Sequence, residues 1–181
     1  MEKKIISKII KPTLSYLKEK KNAYTGFLYV GLMIKNNEPY LIEFNVRMGD
    51  PETQVIIPRL ETDLVKIILN SLKNNLNKTK IIWKKNKCMT VVLCSKGYPG
   101  KYTSNRVINN LNKINDQKKY FIYHAGTIKK DNQIYTSGGR ILSVTSSGKK
   151  FSKIKDKIYS ALKKINFKHG FYRKDIGWRV T

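Results

Sequence analysis

The chain is organised around residues 41–53, Leu41-Ile42-Glu43-Phe44-Asn45-Val46-Arg47-Met48-Gly49-Asp50-Pro51-Glu52-Thr53. Residues 41–48 alternate in polarity as a β-strand does, and side chains two apart on a strand project from the same face. Glu43, Asn45 and Arg47 are therefore predicted to share one face. The spacing leaves two interpretations open. One is a strand with a polar, solvent-facing side; the other is a site for a divalent cation and a phosphate.

The second interpretation rests on the chemistry of these three side chains. Magnesium prefers oxygen ligands and usually takes only one or two from protein, while phosphates and waters complete its shell. Glu43 and Asn45 supply suitable oxygens. Arg47 supplies a forked donor for a phosphate oxygen near the same cation.

The residues after the strand predict a turn into a short helix. Gly49 ends the strand, and Asp50-Pro51 is typical of an N-cap followed by proline at the first helical position. This helix is expected to reach about Ile57 and to direct its free N–H groups toward a bound anion.

Composition limits the classes of function. The 181 residues contain 37 Lys and Arg against 12 Asp and Glu, a net charge of +25. Such a balance ordinarily indicates nucleic acid or an anionic membrane. Only six of the 37 are arginine, however, and the lysines are scattered along the chain. Mutational drift toward AT-rich codons explains this pattern better than a polyanion site, so neither a specific nucleic-acid partner nor a membrane is expected.

Cysteine usage and hydropathy predict a cytoplasmic protein. Cys88 and Cys94 lie six apart in one apolar run without histidine neighbours, a pattern that favours reduced core cysteines over a zinc site or a disulfide framework. No apolar run reaches the length of a membrane span, and the N-terminus has no secretion signal.

Hydrophobic periodicity predicts the elements of the first half. An amphipathic helix covers Met1 to Lys11, is interrupted at Pro12, and continues to about Lys21. Two strands, Tyr24 to Lys35 and Pro39 to Met48, are joined by a tight turn at residues 36–37. A helix then opens near residues 62–63. Its expected core face is formed by Leu64, Ile67, Ile68, Leu72 and Leu76.

The second half follows a polar boundary within Lys73 to Lys87. It is predicted to contain three strands and a final helix. The strands are Cys88 to Cys94, Tyr120 to Ala125 and Gly139 to Thr145, and the helix is Gly148 to Ile165.

Two runs identify a family resemblance. Residues 24–34, YTGFLYVGLMI, and residues 42–54, IEFNVRMGDPETQ, closely resemble glycinamide ribonucleotide synthetase, also called phosphoribosylamine-glycine ligase, an ATP-grasp enzyme. Four later motifs resemble its C-terminal segments in the same order. They are residues 97–100 (GYPG), 124–127 (HAGT), 137–140 (SGGR) and 173–179 (RKDIGWR). The resemblance runs from about Lys11 to the last residues.

The resemblance implies an α+β fold and a ligase activity. Residues 1–80 would be the C-terminal part of an ATP-grasp domain with an antiparallel sheet and helices, and residues 81–181 a small β-rich C-terminal domain. The family's reaction is ATP-dependent: the carboxylate of glycine is phosphorylated, and the amine of 5-phosphoribosylamine attacks the acyl phosphate. The products are glycinamide ribonucleotide, ADP and phosphate, in de novo purine synthesis.

The resemblance also implies roles for individual residues. Glu43 and Asn45 match the family's Mg²⁺ or Mn²⁺ ligands, and Arg47 matches the arginine that contacts phosphate. Asp50 and Glu52 lie in the family's Gly-Asp-Pro-Glu turn and are expected near substrate, with helix capping as an alternative for Asp50.

Three other residues carry weaker expectations. Arg140 and Arg173 could reach a substrate phosphate or form structural ion pairs with acids such as Asp175, and Trp178 is expected in the core.

The resemblance covers only the C-terminal part of the family, so the isolated chain is predicted not to turn over. Three hypotheses follow. The chain is a ligase component whose missing N-terminal half comes from a separate chain; it is an inactive remnant of the enzyme; or it is a basic nucleic-acid-binding protein. The intact motif at residues 43–50 favours the first over the third, because a polyanion binder gains nothing from carboxylates.

Overall fold

The computed structural model describes residues 1–114, 119–165 and 167–181. The chain forms two compact units. Unit 1 comprises Met1–Asp50 and Thr62–Ile82, and unit 2 comprises Pro51–Glu61 and Trp83–Thr181. The assignment of residues 1–80 and 81–181 to two family domains stays a prediction.

Unit 1 begins with a continuous helical run. Helix α1 (Glu2–Ile5) leads into a π-helical segment (Ile6–Ile10) and then into α2 (Lys11–Glu19), with right-handed helical dihedrals at both junctions. The predicted interruption at Pro12 is therefore wrong. Proline has no N–H to donate, and the hydrogen-bond spacing widens in the turn just before it, so the helix continues.

The predicted hairpin of unit 1 is confirmed, with shorter strands. Strand β1 (Tyr29–Lys35) pairs antiparallel with β2 (Glu38–Asn45). The connecting residues Asn36 and Asn37 have φ of 49° and 60°, the left-handed conformation that a two-residue hairpin turn needs. The pairing contains a bulge: Gly31 lies opposite Glu43, but Leu32 lies opposite Leu41, which leaves Ile42 as the extra residue.

The predicted helix after residue 62 is also confirmed. Helix α4 (Leu64–Leu72) is capped by Asp63, whose carboxylate accepts a hydrogen bond from the Lys66 amide at 2.8 Å. Its predicted core face is wrong in large part. Ile67 is buried, but Ile68, Leu72 and Leu76 are exposed.

Unit 2 is built on a four-stranded antiparallel sheet. The strands are β3 (Lys87–Ser95), β4 (Phe121–His124), β7 (Arg140–Gly148) and β8 (Gly170–Phe171), and their order in the sheet is β4-β7-β3-β8. The three predicted strands thus exist with slightly different ends. A second hairpin, β5 (Thr127–Lys130) and β6 (Gln133–Thr136), was not predicted. Helix α3 (Thr53–Ile56) and a 3₁₀ turn (Ile57–Arg59) also belong to unit 2.

The core of unit 2 lies between the sheet and helix α5 (Phe151–Ile165). In the sheet, Val91 pairs with Val144 and Leu93 with Leu142, so each pair presents its side chains to one face. The helix contributes the face that its periodicity predicts: Ile154, Ile158, Ala161, Leu162 and Ile165, each at most 2% exposed. The predicted α+β class, antiparallel sheet with helices, is confirmed.

Among the described residues, no helix combines the length and the apolar character needed to cross a membrane.

Candidate metal and phosphate site

The two predicted metal ligands lie together near the end of β2. The Asn45 Nδ2 donates a hydrogen bond to the Glu43 Oε1 at 2.9 Å. The two residues are two apart on one strand, so their side chains project from the same face. Glu43 is exposed and Asn45 is half-buried, so a ligand from solvent can reach both.

Gly31 makes room for this pair. A Cβ at Gly31 would lie 2.9 Å from the Glu43 Cγ, closer than side chains normally approach. The bulge produces this juxtaposition. If pairing continued regularly from Leu32–Leu41, Gly31 would face Ile42 and Glu43 would face Val30. A glycine inside a strand is the one sequence signal that indicates such a bulge or a close approach.

The donor set fits a hard divalent cation. A carboxylate and an amide on one face can supply the one or two oxygen ligands that Mg²⁺ takes from protein when phosphates and waters complete its shell. No group of three or more His, Cys, Asp and Glu side chains suited to a metal occurs in the described part of the chain. A cation at Glu43 and Asn45 would therefore depend on phosphate and water for its remaining ligands.

Arg47 is placed differently from the prediction. Strand β2 ends at Asn45, and Arg47 lies in a bend two residues later, so strand alternation does not bring it onto the face of Glu43 and Asn45. Its Nη1 donates to the backbone oxygen of Met48 at 3.1 Å, and the residue is exposed. Its contact with phosphate stays a prediction.

Asp50 and Glu52 belong to different units. Asp50 is the last residue of the first segment of unit 1, whereas Glu52 belongs to unit 2. The predicted N-cap at Asp50 is wrong, because residues 50–52 form a turn and helix α3 begins at Thr53, with Glu52 in the N-cap position and no capping side chain. This helix has four residues, too few for the predicted anion-directed terminus. Contact of Asp50 and Glu52 with substrate stays a prediction.

The short motifs of unit 2 that carry the resemblance pack against one another. A Cβ at Gly126 would lie 2.6 Å from the Gly138 Cα, and a Cβ at Gly139 would strike the ring of Tyr98. Ser95 holds the backbone of these glycines in place, since its amide donates a hydrogen bond to the Gly139 oxygen at 2.7 Å and its hydroxyl donates one to the Gly138 oxygen at 2.9 Å. Close packing therefore explains these glycines, against backbone at Gly126 and against an aromatic ring at Gly139, a role that the sequence alone did not reveal.

Other singled-out residues have structural partners. Arg173 forms a forked ion pair with Asp175, at 2.9 Å from Nε and 2.5 Å from Nη2, which confirms the ion-pair alternative. This hydrogen bonding lowers the pKa of the Asp175 carboxyl. The core prediction for Trp178 is wrong. Its side chain is 63% exposed and lies 5.1 Å from the guanidinium of Arg179.

The two cysteines are free thiols, as predicted. Cys94 is buried and lines an apolar cavity of about 370 Å³ with Tyr98 and Phe171, and Cys88 is half-buried. Burial raises the pKa of both thiols, so both are held in the protonated, less reactive form.

Comparison with known proteins gives two family matches. The sequence profile of the phosphoribosylglycinamide synthetase C domain matches residues 88–179, and that of the ATP-grasp (A) domain of the same synthetase matches residues 1–53.

Curated relatives and a solved structure agree with these matches. The chain is 38% identical to the phosphoribosylamine-glycine ligase of Agrobacterium fabrum, over 99% of this chain and 42% of the relative. It is 43% identical to that of Pseudomonas aeruginosa, over 99% and 42%. The crystal structure of the phosphoribosylamine-glycine ligase of Thermotoga maritima matches with a TM-score of 0.80 and 31% identity, over 94% of this chain and 41% of that one. The chain thus spans less than half the length of these proteins.

Proposed function

The chain belongs to the phosphoribosylglycinamide synthetase family, and on that premise we propose that it is the C-terminal part of an ATP- and metal-dependent ligase. The ligase joins glycine to 5-phosphoribosylamine. The names of the relatives support this reaction. The chain covers 42% of the Agrobacterium fabrum protein, and this limited coverage supports the proposal that it is one part of the enzyme.

The proposed reaction proceeds in two steps. The glycine carboxylate attacks the terminal phosphorus of ATP, which releases ADP and leaves an acyl phosphate. The amine of 5-phosphoribosylamine then attacks the acyl carbon, phosphate departs with the C–O bond electrons, and the proton that the nitrogen loses passes to solvent. Both steps gather negative charge on phosphoryl oxygens, so positioning and charge neutralisation supply most of the catalysis.

We assign the chain's own residues to that neutralisation. Glu43 and Asn45 hold the divalent cation, Mg²⁺ or Mn²⁺, which when bound offsets the charge of the nucleotide phosphates. Arg47 donates hydrogen bonds to a phosphate oxygen, for which its exposed guanidinium is accessible. Asp50 and Glu52 contact substrate. The observation that carries this assignment is the 2.9 Å contact between Glu43 and Asn45, on the face of the hairpin where Gly31 lies directly across from Glu43.

The proposal includes a separate chain that carries the missing N-terminal half. Catalysis requires both reactants to be held in one geometry, so the isolated chain is expected not to turn over. We also propose a cytoplasmic location, which the two free cysteines support.

Two alternatives predict different behaviour. An inactive remnant of the enzyme would keep the fold and lose turnover in every mixture. A basic nucleic-acid-binding protein, favoured only by the charge of +25, would bind DNA or RNA with a strong salt dependence that mutation of Glu43 does not alter.

The decisive experiment mixes this chain with the portion of the Agrobacterium fabrum ligase that it does not match, and follows glycine-dependent ADP release. Glu43→Ala is expected to lower the rate by roughly 100-fold, because the cation that this carboxylate holds would no longer be in place to neutralise transition-state charge. The matched control is Glu19→Ala, which removes an exposed carboxylate at the end of α2. Equal rates for the wild type and Glu43→Ala would contradict the metal assignment, and no release in any mixture would favour the remnant.

A further inference from the structure

Helix α4 carries an apolar stripe on its exposed side. At 100° per residue, Val65, Ile68, Leu69 and Leu72 fall within an arc of about 100°. Their side chains are 61%, 38%, 48% and 68% exposed. Ile67, on the opposite side of the helix, is 8% exposed. The helix therefore packs inward through Ile67 and leaves its wider apolar face in contact with solvent, the reverse of an ordinary surface helix.

The hairpin of the same unit adds further exposed apolar side chains. Met33, Tyr40, Ile42 and Val46 are 57–73% exposed. Most of the exposed large apolar residues in the described part of the chain belong to unit 1, whereas its only buried hydrophobic residues there are Ile9 and Ile67. A two-stranded hairpin is marginally stable alone, and large exposed apolar patches mark interaction surfaces.

Charge argues against a second copy of the chain as the cover. Two copies at +25 each repel one another, especially at low ionic strength. By the same helical angle, Lys66 in α4 and Lys73 at its C-cap lie about 90–110° from the centre of the stripe and so border one side of it. A partner with an apolar patch bordered by carboxylates fits this surface better than another strongly basic chain does.

The relatives contain polypeptide long enough to provide that cover. This chain corresponds to 42% of the Agrobacterium fabrum ligase, and its match to the ATP-grasp domain profile is limited to residues 1–53. More than half of the relative's length therefore has no counterpart in the chain.

We propose that the α4 stripe, Val65, Ile68, Leu69 and Leu72, is the surface on which the remaining ATP-grasp polypeptide of the ligase docks. The inference rests on the proposed function, because the partner is the half that completes it. Docking buries the stripe, and with it stabilises the unit that carries Glu43 and Asn45.

The test measures binding of the full chain to the unmatched portion of the Agrobacterium fabrum ligase by isothermal titration calorimetry. Val65→Lys and Leu72→Lys place a charge in the stripe, and each is expected to weaken binding at least tenfold. The matched control is Ile128→Lys in strand β5 of unit 2, where the side chain is 50% exposed, and its affinity is expected to equal that of the wild type. All three positions are exposed, so each variant is expected to fold, which circular dichroism checks.

Several results would overturn the docking surface. One is that the wild type does not bind the ligase portion, and another is that the wild type and both stripe variants bind it with equal affinity. A third is that the ligase portion does not bind while the stripe mediates a different contact. That contact would be self-association of the wild type or its binding to vesicles of anionic lipid, in either case abolished by Leu72→Lys.

Binding and ADP release together distinguish failure of the docking surface from failure of the proposed ligase activity. A complex that Leu72→Lys weakens but that releases no ADP supports the docking surface and contradicts the activity. Glycine-dependent ADP release that both stripe variants leave unchanged contradicts the docking surface and supports the activity.

Discussion

The two units of this chain differ in how they bury apolar side chains. In unit 2, helix α5 and strands β3 and β7 enclose a continuous core in which Leu142, Val144 and Ile158 are fully buried. In unit 1, Ile9 and Ile67 are the buried hydrophobic residues among those described, and the apolar stripe of α4 faces solvent. The candidate cation ligands, Glu43 and Asn45, therefore lie on the unit that buries fewer apolar side chains among the described residues.

The largest expected effect tests the two cores directly. Ile158→Ala removes a side chain that is 0% exposed in unit 2 and is expected to lower the free energy of unfolding by about 2–5 kcal/mol. Leu72→Ala in unit 1 removes a side chain that is 68% exposed, so its cost should stay within about 0.5 kcal/mol. Urea denaturation of the two variants measures both values. Equal losses would show that the contrast between the units is false.

A smaller effect concerns the space beside Glu43. Gly31→Ala introduces a Cβ 2.9 Å from the Glu43 Cγ, which must displace the carboxylate. The sample is the mixture of this chain with the unmatched portion of the Agrobacterium fabrum ligase. We expect its affinity for an Mn²⁺-nucleotide complex to fall roughly tenfold, equivalent to about 1.4 kcal/mol. The control is Gly100→Ala in unit 2, whose nearest contact would be 3.3 Å from a backbone oxygen. Titration calorimetry compares the two, and an unchanged affinity for Gly31→Ala would contradict the role of the glycine.

The smallest expected effect concerns an exposed ion pair in unit 1. Hydrogen bonds from Lys4 and Lys8, at 2.5 and 2.7 Å, lower the pKa of Glu38 from 4.5 to about 2 and tie α1 and the π-helical segment to β2. Because the folded-state pKa is depressed, the stabilisation is present above the ordinary pKa of 4.5 and is lost as the pH falls toward 2. Exposed pairs contribute little, so the effect on unfolding is small.

Carboxyl NMR titration of Glu38 measures this shift. In Lys4→Ala/Lys8→Ala the pKa should return toward 4.5, whereas Lys73→Ala, at the exposed residue that follows α4, should leave it near 2. A pKa that the double substitution does not move would refute the proposed link between the helical run and the hairpin.

The sequence predicted those features that depend on one segment. The hairpin turn at Asn36-Asn37 follows from residues that tolerate positive φ, and the buried face of α5 follows from its period. The pairing of Glu43 with Asn45 likewise follows from their spacing on one strand. The family resemblance, read from motifs in fixed order, is confirmed by the two profile matches.

Several features that depend on contacts between segments were missed. The bulge at Ile42 arises from the register between β1 and β2, and the end of β2 before Arg47 depends on where that pairing stops. Ile68 and Leu72 of the α4 stripe were assigned to the core because periodicity reveals an apolar face but does not show what covers it. Residue spacing also did not predict the exposure of Trp178.

The central claim is that Glu43 and Asn45 hold the cation that accompanies the nucleotide. Its most direct test uses the mixture of this chain with the unmatched portion of the Agrobacterium fabrum ligase. The affinity of that mixture for Mn²⁺ bound to a non-hydrolysable ATP analogue is compared between the wild type, Glu43→Gln and the control Glu19→Gln. Glu43→Gln keeps the size of the side chain and removes its charge. The account predicts at least about tenfold weaker binding for Glu43→Gln and no change for Glu19→Gln; equal affinity in all three would contradict it.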